Sequence, residues 1–168
     1  GAGGFRGSGD ITGGRCAPQD NINLASGTYT VTVGAGGSPR VSGSASSIAG
    51  PSLTTISTVG GGRGGDNNQQ PENGGSGGGR SYYSSANGYS TACEGFGRTL
   101  EGVTSWQAGG GGADGIQASL SPSNASGKGV YSIMSGTYQF YAGGGAPGSG
   151  NTTRPQAAPG GGGNGQIS

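Results

Sequence analysis

The chain of 168 residues contains no histidine, two cysteines and only 9% charged residues. Without histidine there is no Ser–His or Cys–His pair to activate a nucleophile. Glu94 and Glu101 are near enough in sequence to suggest paired acid–base work, which is thin support for catalysis, so no enzyme is expected. Seven arginines and Lys128 face seven acidic residues, scattered singly, for a net charge of +1. A nucleic-acid groove or a Gly/Arg-rich RNA-binding tail needs clustered cations, so no nucleic-acid partner is expected. Apolar residues make up 28%. No apolar run reaches eighteen residues, so no membrane span is expected, and a core of ordinary depth is beyond the chain's means.

Helical periodicity is also missing. Nothing sustains the i, i+3, i+4 apolar spacing of a ten-residue helix, and glycine interrupts every candidate. Cys16 and Cys93 allow one disulfide, which would constrain a loop-rich fold, or two free buried thiols; two cysteines do not identify a compartment. The start at Gly1, with neither an initiator Met nor a signal peptide, reads as a processed product or part of a longer protein.

What the chain has is glycine, 45 residues of it, with eight prolines. That exceeds the roughly 25–30% at which a chain without a strict repeat is usually low-complexity or disordered. Yet the glycines fall in tracts: Gly34 to Gly37, Gly60 to Gly65, Gly74 to Gly79, Gly109 to Gly112, Gly143 to Gly145 and Gly160 to Gly163. Between them lie segments that hold nearly every sizeable side chain. Thr28 to Val33 and Ser52 to Val59 alternate as strands, and Tyr138 to Tyr141 is a shorter third. Ser26-Gly27-Thr28-Tyr29 and Ser135-Gly136-Thr137-Tyr138 each lead at the same offset into a glycine run, a turn–strand–tract unit used twice.

A glycine tract that orders must gain from close backbone packing, because it loses more entropy than any other sequence and buries no side chain. Polyproline II geometry suits it: three residues per turn, about 3.1 Å rise, and no internal hydrogen bonds, so every backbone group is free to bond a neighbour. A tract of six spans roughly 19 Å on that rise. Stacked tracts would make a thin, stiff slab with loops at its ends. The expected fold is therefore all-β and irregular, with short strands and packed polyglycine II tracts in a thin layered sandwich, essentially no α-helix, and a single glycine-rich domain over residues 1–168.

These residues also carry a resemblance. SGTYTVTVGAGG (Ser26 to Gly37), GGGRGG, GGSGGGR, GKGVYSIMSGTYQFYAGGGA (Gly127 to Ala146) and the closing PGGGGNG look like the glycine-rich domain of bacteriophage tail proteins. More distantly, the alternation is similar to receptor-binding adhesins at the tips of T-even-type long tail fibres, where a polyglycine II sandwich presents loops to host surface proteins. The resemblance covers about Leu24 to Gly165. It implies a virion appendage or other extracellular location, homo-oligomers with neighbouring virion subunits, a host cell-surface receptor or glycan as partner, and no cofactor.

The residues with contact chemistry between two tracts are Arg80, Tyr82, Tyr83, Tyr89, Phe96, Arg98 and Trp106. Tyr and Trp bring large rigid area at low entropy cost and Arg adds planar hydrogen bonding, so this segment is the candidate binding loop. The plainer reading makes the same aromatics filler beside the slab or a contact between subunits, as in a structural filament. Val130 to Tyr141 is expected to be core.

Three further motifs compete. Gly60-x-Gly62-x-x-Gly65 follows a strand and matches the dinucleotide fingerprint, but no helix follows it, so it is a chance match. Gly109 to Gln117 fits one calcium-binding nonapeptide, with Asp114 as its ligand, though such sites need tandem repeats; turn chemistry explains the aspartate equally well. Asn124 and Asn151 fit the N-glycosylation pattern. Ice binding by a Thr/Gly face is weaker still, because Thr does not recur regularly.

Overall fold

A computed structural model describes residues 1–8, 12–66, 69–81, 86–97, 109–115, 126–147 and 157–163. Among these residues, five short strands form two antiparallel sheets. In the first, β1 (Thr30–Thr32), β2 (Ser46–Gly50) and β3 (Leu53–Thr58) lie in that order, with Val31 opposite Ile48 and Ile48 opposite Ile56. In the second, β4 (Val130–Ser132) pairs with β5 (Gln139–Tyr141). No α-helix occurs among the described residues; Gly13–Arg15 makes one 3-10 turn, broken at Gly14 by a φ of 69°. The fold is all-β and irregular, as the glycine punctuation implies.

The three strands expected from the sequence are present in shortened form. β2 and β4 are additional, and each pairs with an expected strand. β3 starts at Leu53 because Pro51 and Ser52, the latter with φ 56°, form the two-residue loop that turns β2 into it. The twice-used unit is also visible. Gly27 and Gly136 take positive φ (156° and 89°), and β1 and β5 begin four residues after Ser26 and Ser135.

Most of the glycine is in neither sheet, and its hydrogen bonds have a different period. Gly74 and Gly77 donate to Tyr89 and Phe96 in one neighbouring segment, while Gly75 donates to Gly60 and Ser76 to Ala2. The same spacing recurs elsewhere. Gly110 and Ala113 donate to Gly145 and Ala142, with Gly111 donating to Gly77 instead; Gly143 and Ala146 donate to Gly160 and Gly163, with Gly144 donating to Gly127. Gly62 and Gly65 reach Ser76 and Gly79. A β-strand sends its bonds alternately to two sides in one plane. Here every third residue faces the same neighbour and the intervening ones face others, which is the three-residue turn of a polyproline II helix bonded laterally on several sides.

Gly1 to Phe5 runs through this lattice. Its amino group donates to the Gly62 carbonyl at 2.5 Å, Ala2 donates to Gly111 and accepts from Ser76, Gly4 donates to Val59, and Phe5 donates to Glu94 and accepts from Gly13. Main chain fills the interior. Gly74 to Gly78 and Gly109 to Ala113 are buried, whereas the buried apolar side chains among the described residues are few: Ala2, Ala113 and Val130, with Pro71 and Pro147. The expectation that Val130 to Tyr141 forms core is therefore correct only at Val130. Tyr131, Ile133, Met134 and Tyr138 are exposed, because the β4–β5 hairpin extends past the lattice.

Both sheets leave the lattice at one end. Val59, where β3 enters the tract, is bonded level with Gly4, and Gly60 with Gly75; Gly62 is level with Gly1 and Ser76, and Gly65 with Gly79 further along. Ala142, where β5 enters its tract, is level with Ala113, which accepts from Gly14 beside Phe5 and Glu94. Arg80 follows Gly79, and Gly109 precedes Gly110, which bonds Gly145, so these positions lie at the opposite end.

One hydrogen bond contributes roughly 1 kcal/mol net, against about 1–2 kcal/mol to fix one residue's backbone. Main-chain bonding alone does not carry the fold, and two other devices contribute. Tight packing is one: a methyl on Gly75 would overlap the Gly4 backbone. The other is the Cys16–Cys93 disulfide, which joins positions 77 apart in sequence, next to the 3-10 turn and at the Thr91–Glu94 turn. Gly75→Ala should cost about 3 kcal/mol by overpacking, whereas Gly36→Ala, where an added Cβ meets nothing within 4 Å, should stay within about 0.5 kcal/mol in urea unfolding. Replacing both cysteines by Ala should remove about 4 kcal/mol in the same measurement, given the length of the closed loop; an unchanged midpoint would show that the bond is not formed in solution.

Candidate functional site

The segment expected to bind is split by the structure. Tyr82, Tyr83, Arg98 and Trp106 lie outside the described residues, as do Asn124 and Asn151. Arg80 is half-buried. Tyr89 is exposed: its N–H donates to Asn73 Oδ1 at 2.8 Å, its carbonyl accepts from Gly74, and the residue is 56% exposed. Phe96 is set differently. Its main chain bonds both Gly77 and Gly112, and its half-buried ring lies 5.8 Å from the Arg15 guanidinium, so it anchors the lattice instead of projecting from it.

Asp114 was a candidate calcium ligand, and its surroundings argue the opposite. Lys128 Nζ lies 3.3 Å and Arg15 Nε 3.7 Å from its carboxylate, so two cationic side chains offset its charge. No group of three or more acidic, Cys or His side chains suited to a metal occurs among the described residues. Glu94 is buried, and its Oε2 accepts the Val59 N–H at 2.7 Å, closing the junction where β3 becomes a glycine tract. This role left no mark in the sequence. Gly60 to Gly65 runs as lattice to Asp66, which bonds Gln69 in both directions, and no helix follows among the described residues.

The sequence reading missed the two uncovered sheet faces. On the hairpin, Tyr131 stacks on Tyr138 with centroids 5.1 Å apart and 12° between planes, and meets Phe140 at 4.8 Å, both within the favourable range for aromatic pairs. Ile133 and Met134, beyond β4, are also more than half exposed. Polar groups form a closed set nearby: Gln139 Nε2 donates to Ser135 Oγ and Tyr141 Oη, and the Tyr141 hydroxyl donates to Ser135 Oγ. In the larger sheet, alternation sets Val31 and Val33 on one face, and they are 66% and 83% exposed. The period-two pattern was legible, but a pattern states which residues share a face and not whether another layer covers it.

Among the described residues, two titrating groups depart from ordinary behaviour. The Ser42 hydroxyl, and then Arg63, hold the Glu72 carboxyl below its usual range. Burial pushes the Gly1 amino group from 8.0 down to about 6. No family model, curated protein or solved structure matches the chain.

The amine gives a pH dependence with a definite sign. Between pH 6 and 8 an unfolded chain with a free Gly1 amine still holds a proton that the folded chain has released, so stability rises with pH across that window. Thermal unfolding midpoints should increase from pH 6 to 8, and acetylating Gly1 should abolish the increase.

Proposed function

We propose that this chain is a non-enzymatic domain of a virion appendage, a phage tail fibre or tail tip, in which a thin layered polyglycine II sandwich holds loops and hairpins for recognition of a host surface. The observation that carries this reading is the division of labour in the chain. A lattice of main chain leaves room for few side chains in its interior, and Tyr89, Tyr131 and Tyr138 stand exposed on connecting segments. Exposed Tyr89 and the Tyr131–Tyr138 pair offer the rigid amphipathic area that recognition surfaces favour. The disulfide fits an oxidising environment.

A second reading has an observation of its own. Uncovered Val31, Val33, Tyr131 and Tyr138 are also what a filament subunit would bury against its neighbours. The two readings separate in solution. The adhesin reading expects a discrete species at rising concentration in sedimentation velocity, and competition with the parent particle for adsorption to host cells. Replacing Tyr82, Tyr83 and Trp106 by Ala should reduce that competition at least about tenfold, as loss of a hot-spot contact implies. Open-ended polymers that leave adsorption untouched would establish the filament instead.

A further inference from the structure

The two outer strands of the larger sheet end differently. Along the outside of β3, Val59 donates to Glu94 Oε2 and accepts from Gly4, and Arg6 Nη1 donates to the Ser57 carbonyl at 3.1 Å. That edge is covered, in part by charged side chains. Main-chain groups alternate in direction along a strand, so Ser57 and Val59 face away from β2 while Ile56 and Thr58 face it. Their partners Ile48 and Ser46 therefore face β3, which leaves Ser47 and Ala49 to bond Thr32 and Thr30 on β1. The Gly34 N–H, donating to Ser46 Oγ on β2, keeps the same phase. Val31 and Val33 consequently turn their N–H and C=O groups out of the sheet, and these have no partner among the described residues.

An open edge is a template for another strand, and proteins usually blunt it with charge, proline, a bulge or a covering segment. β1 has none of these. Thr28 to Val33 carries no charge and no proline, and its pairing with β2 runs without a bulge. The incoming chain does not shield it either. The Tyr29 hydroxyl donates to the carbonyls of Ala25 and Pro51, which holds that chain at the β2–β3 turn and away from the edge.

We propose that β1 pairs antiparallel with β1 of a second copy about a two-fold axis at Thr32, joining the two three-stranded sheets into one. Val31 of each copy then lies opposite Val33 of the other, and each pair exchanges both of its main-chain hydrogen bonds. A two-fold contact needs a surface complementary to itself, and this edge is one. The side chains agree with the register. Val31 lies beside Ile48 and Ile48 beside Ile56, so the valines, now 66% and 83% exposed, join two apolar stripes across the contact. A slip of one residue would set valine against threonine and face bonded groups with bonded groups. The contact closes on itself, so it goes beyond the host-recognition reading without depending on it.

Sedimentation velocity of the whole chain between about 1 μM and 1 mM should show a monomer–dimer equilibrium, because one strand pair lies below the roughly 1,000 Å² of a tight interface. Replacing Val31 and Val33 together by Lys sets like charges opposite each other and should weaken the dimer at least about tenfold. Val31→Lys with Val33→Glu sets opposite charges across the same pairs and should restore it. In the unaltered chain, hydrogen exchange at the Val31 and Val33 amides should slow as concentration rises, while the Thr30 and Thr32 amides stay protected throughout. A monomer at about 1 mM, polymers beyond the dimer, or exchange at Val31 and Val33 independent of concentration overturns the proposal. So does a double-lysine variant that dimerises normally, or a lysine–glutamate variant no better than it.

Discussion

Lateral hydrogen bonding between main chains, with the same neighbour met at every third residue, is the constraint on which this protein depends. It requires the chains to approach from several directions at once, and that is possible only where side chains are missing. Gly75 and Gly111 show the limit, since a single carbon on either would overlap the Gly4 backbone or the Phe96 carbonyl. The lattice therefore dictates the composition. Nearly every residue with chemistry of its own is displaced to the connections.

The same constraint explains the sheets. Where a tract ends and side chains return, as at Val59 and Ala142, bonding changes from several directions to a plane, and the chain continues as an antiparallel hairpin. The change at Ala142 carries a φ of 54°, unusual for alanine, and Glu94 stabilises the change at Val59 by accepting its N–H. The hairpins inherit a rigid base. With no second layer over them among the described residues, they keep apolar side chains exposed, which a protein retains when those faces meet something else.

Stability must come from many small terms. Hydrogen bonds worth about 1 kcal/mol each barely offset the ordering of glycine backbone, and Ala2, Ala113 and Val130 are a slight apolar core. The Cys16–Cys93 bond limits the freedom of the unfolded chain over its longest early span, and Arg15 and Lys128 bracket Asp114 near the same end. Arg40 with Asp66 and Arg63 with Glu72 add further ion pairs elsewhere. Polar groups thus do work that apolar side chains do in richer sequences.

Sequence alone determined the class of solution. Glycine tracts, the alternation in Thr28 to Val33 and Ser52 to Val59, and the absence of helical spacing leave short strands and packed backbone as the only way to order the chain. It also located Tyr89 as an exposed aromatic. What it left undecided depends on neighbours distant in the chain. Cys16 and Cys93 pair because two turns meet; Phe96 becomes an anchor because Gly77 and Gly112 flank its main chain; Asp114 faces two cations instead of a metal; Tyr131 and Tyr138 are exposed because their hairpin outruns the lattice. A tract of glycines has no side-chain pattern with which to encode partner or register. The register of the tracts was therefore fixed only by their tertiary arrangement.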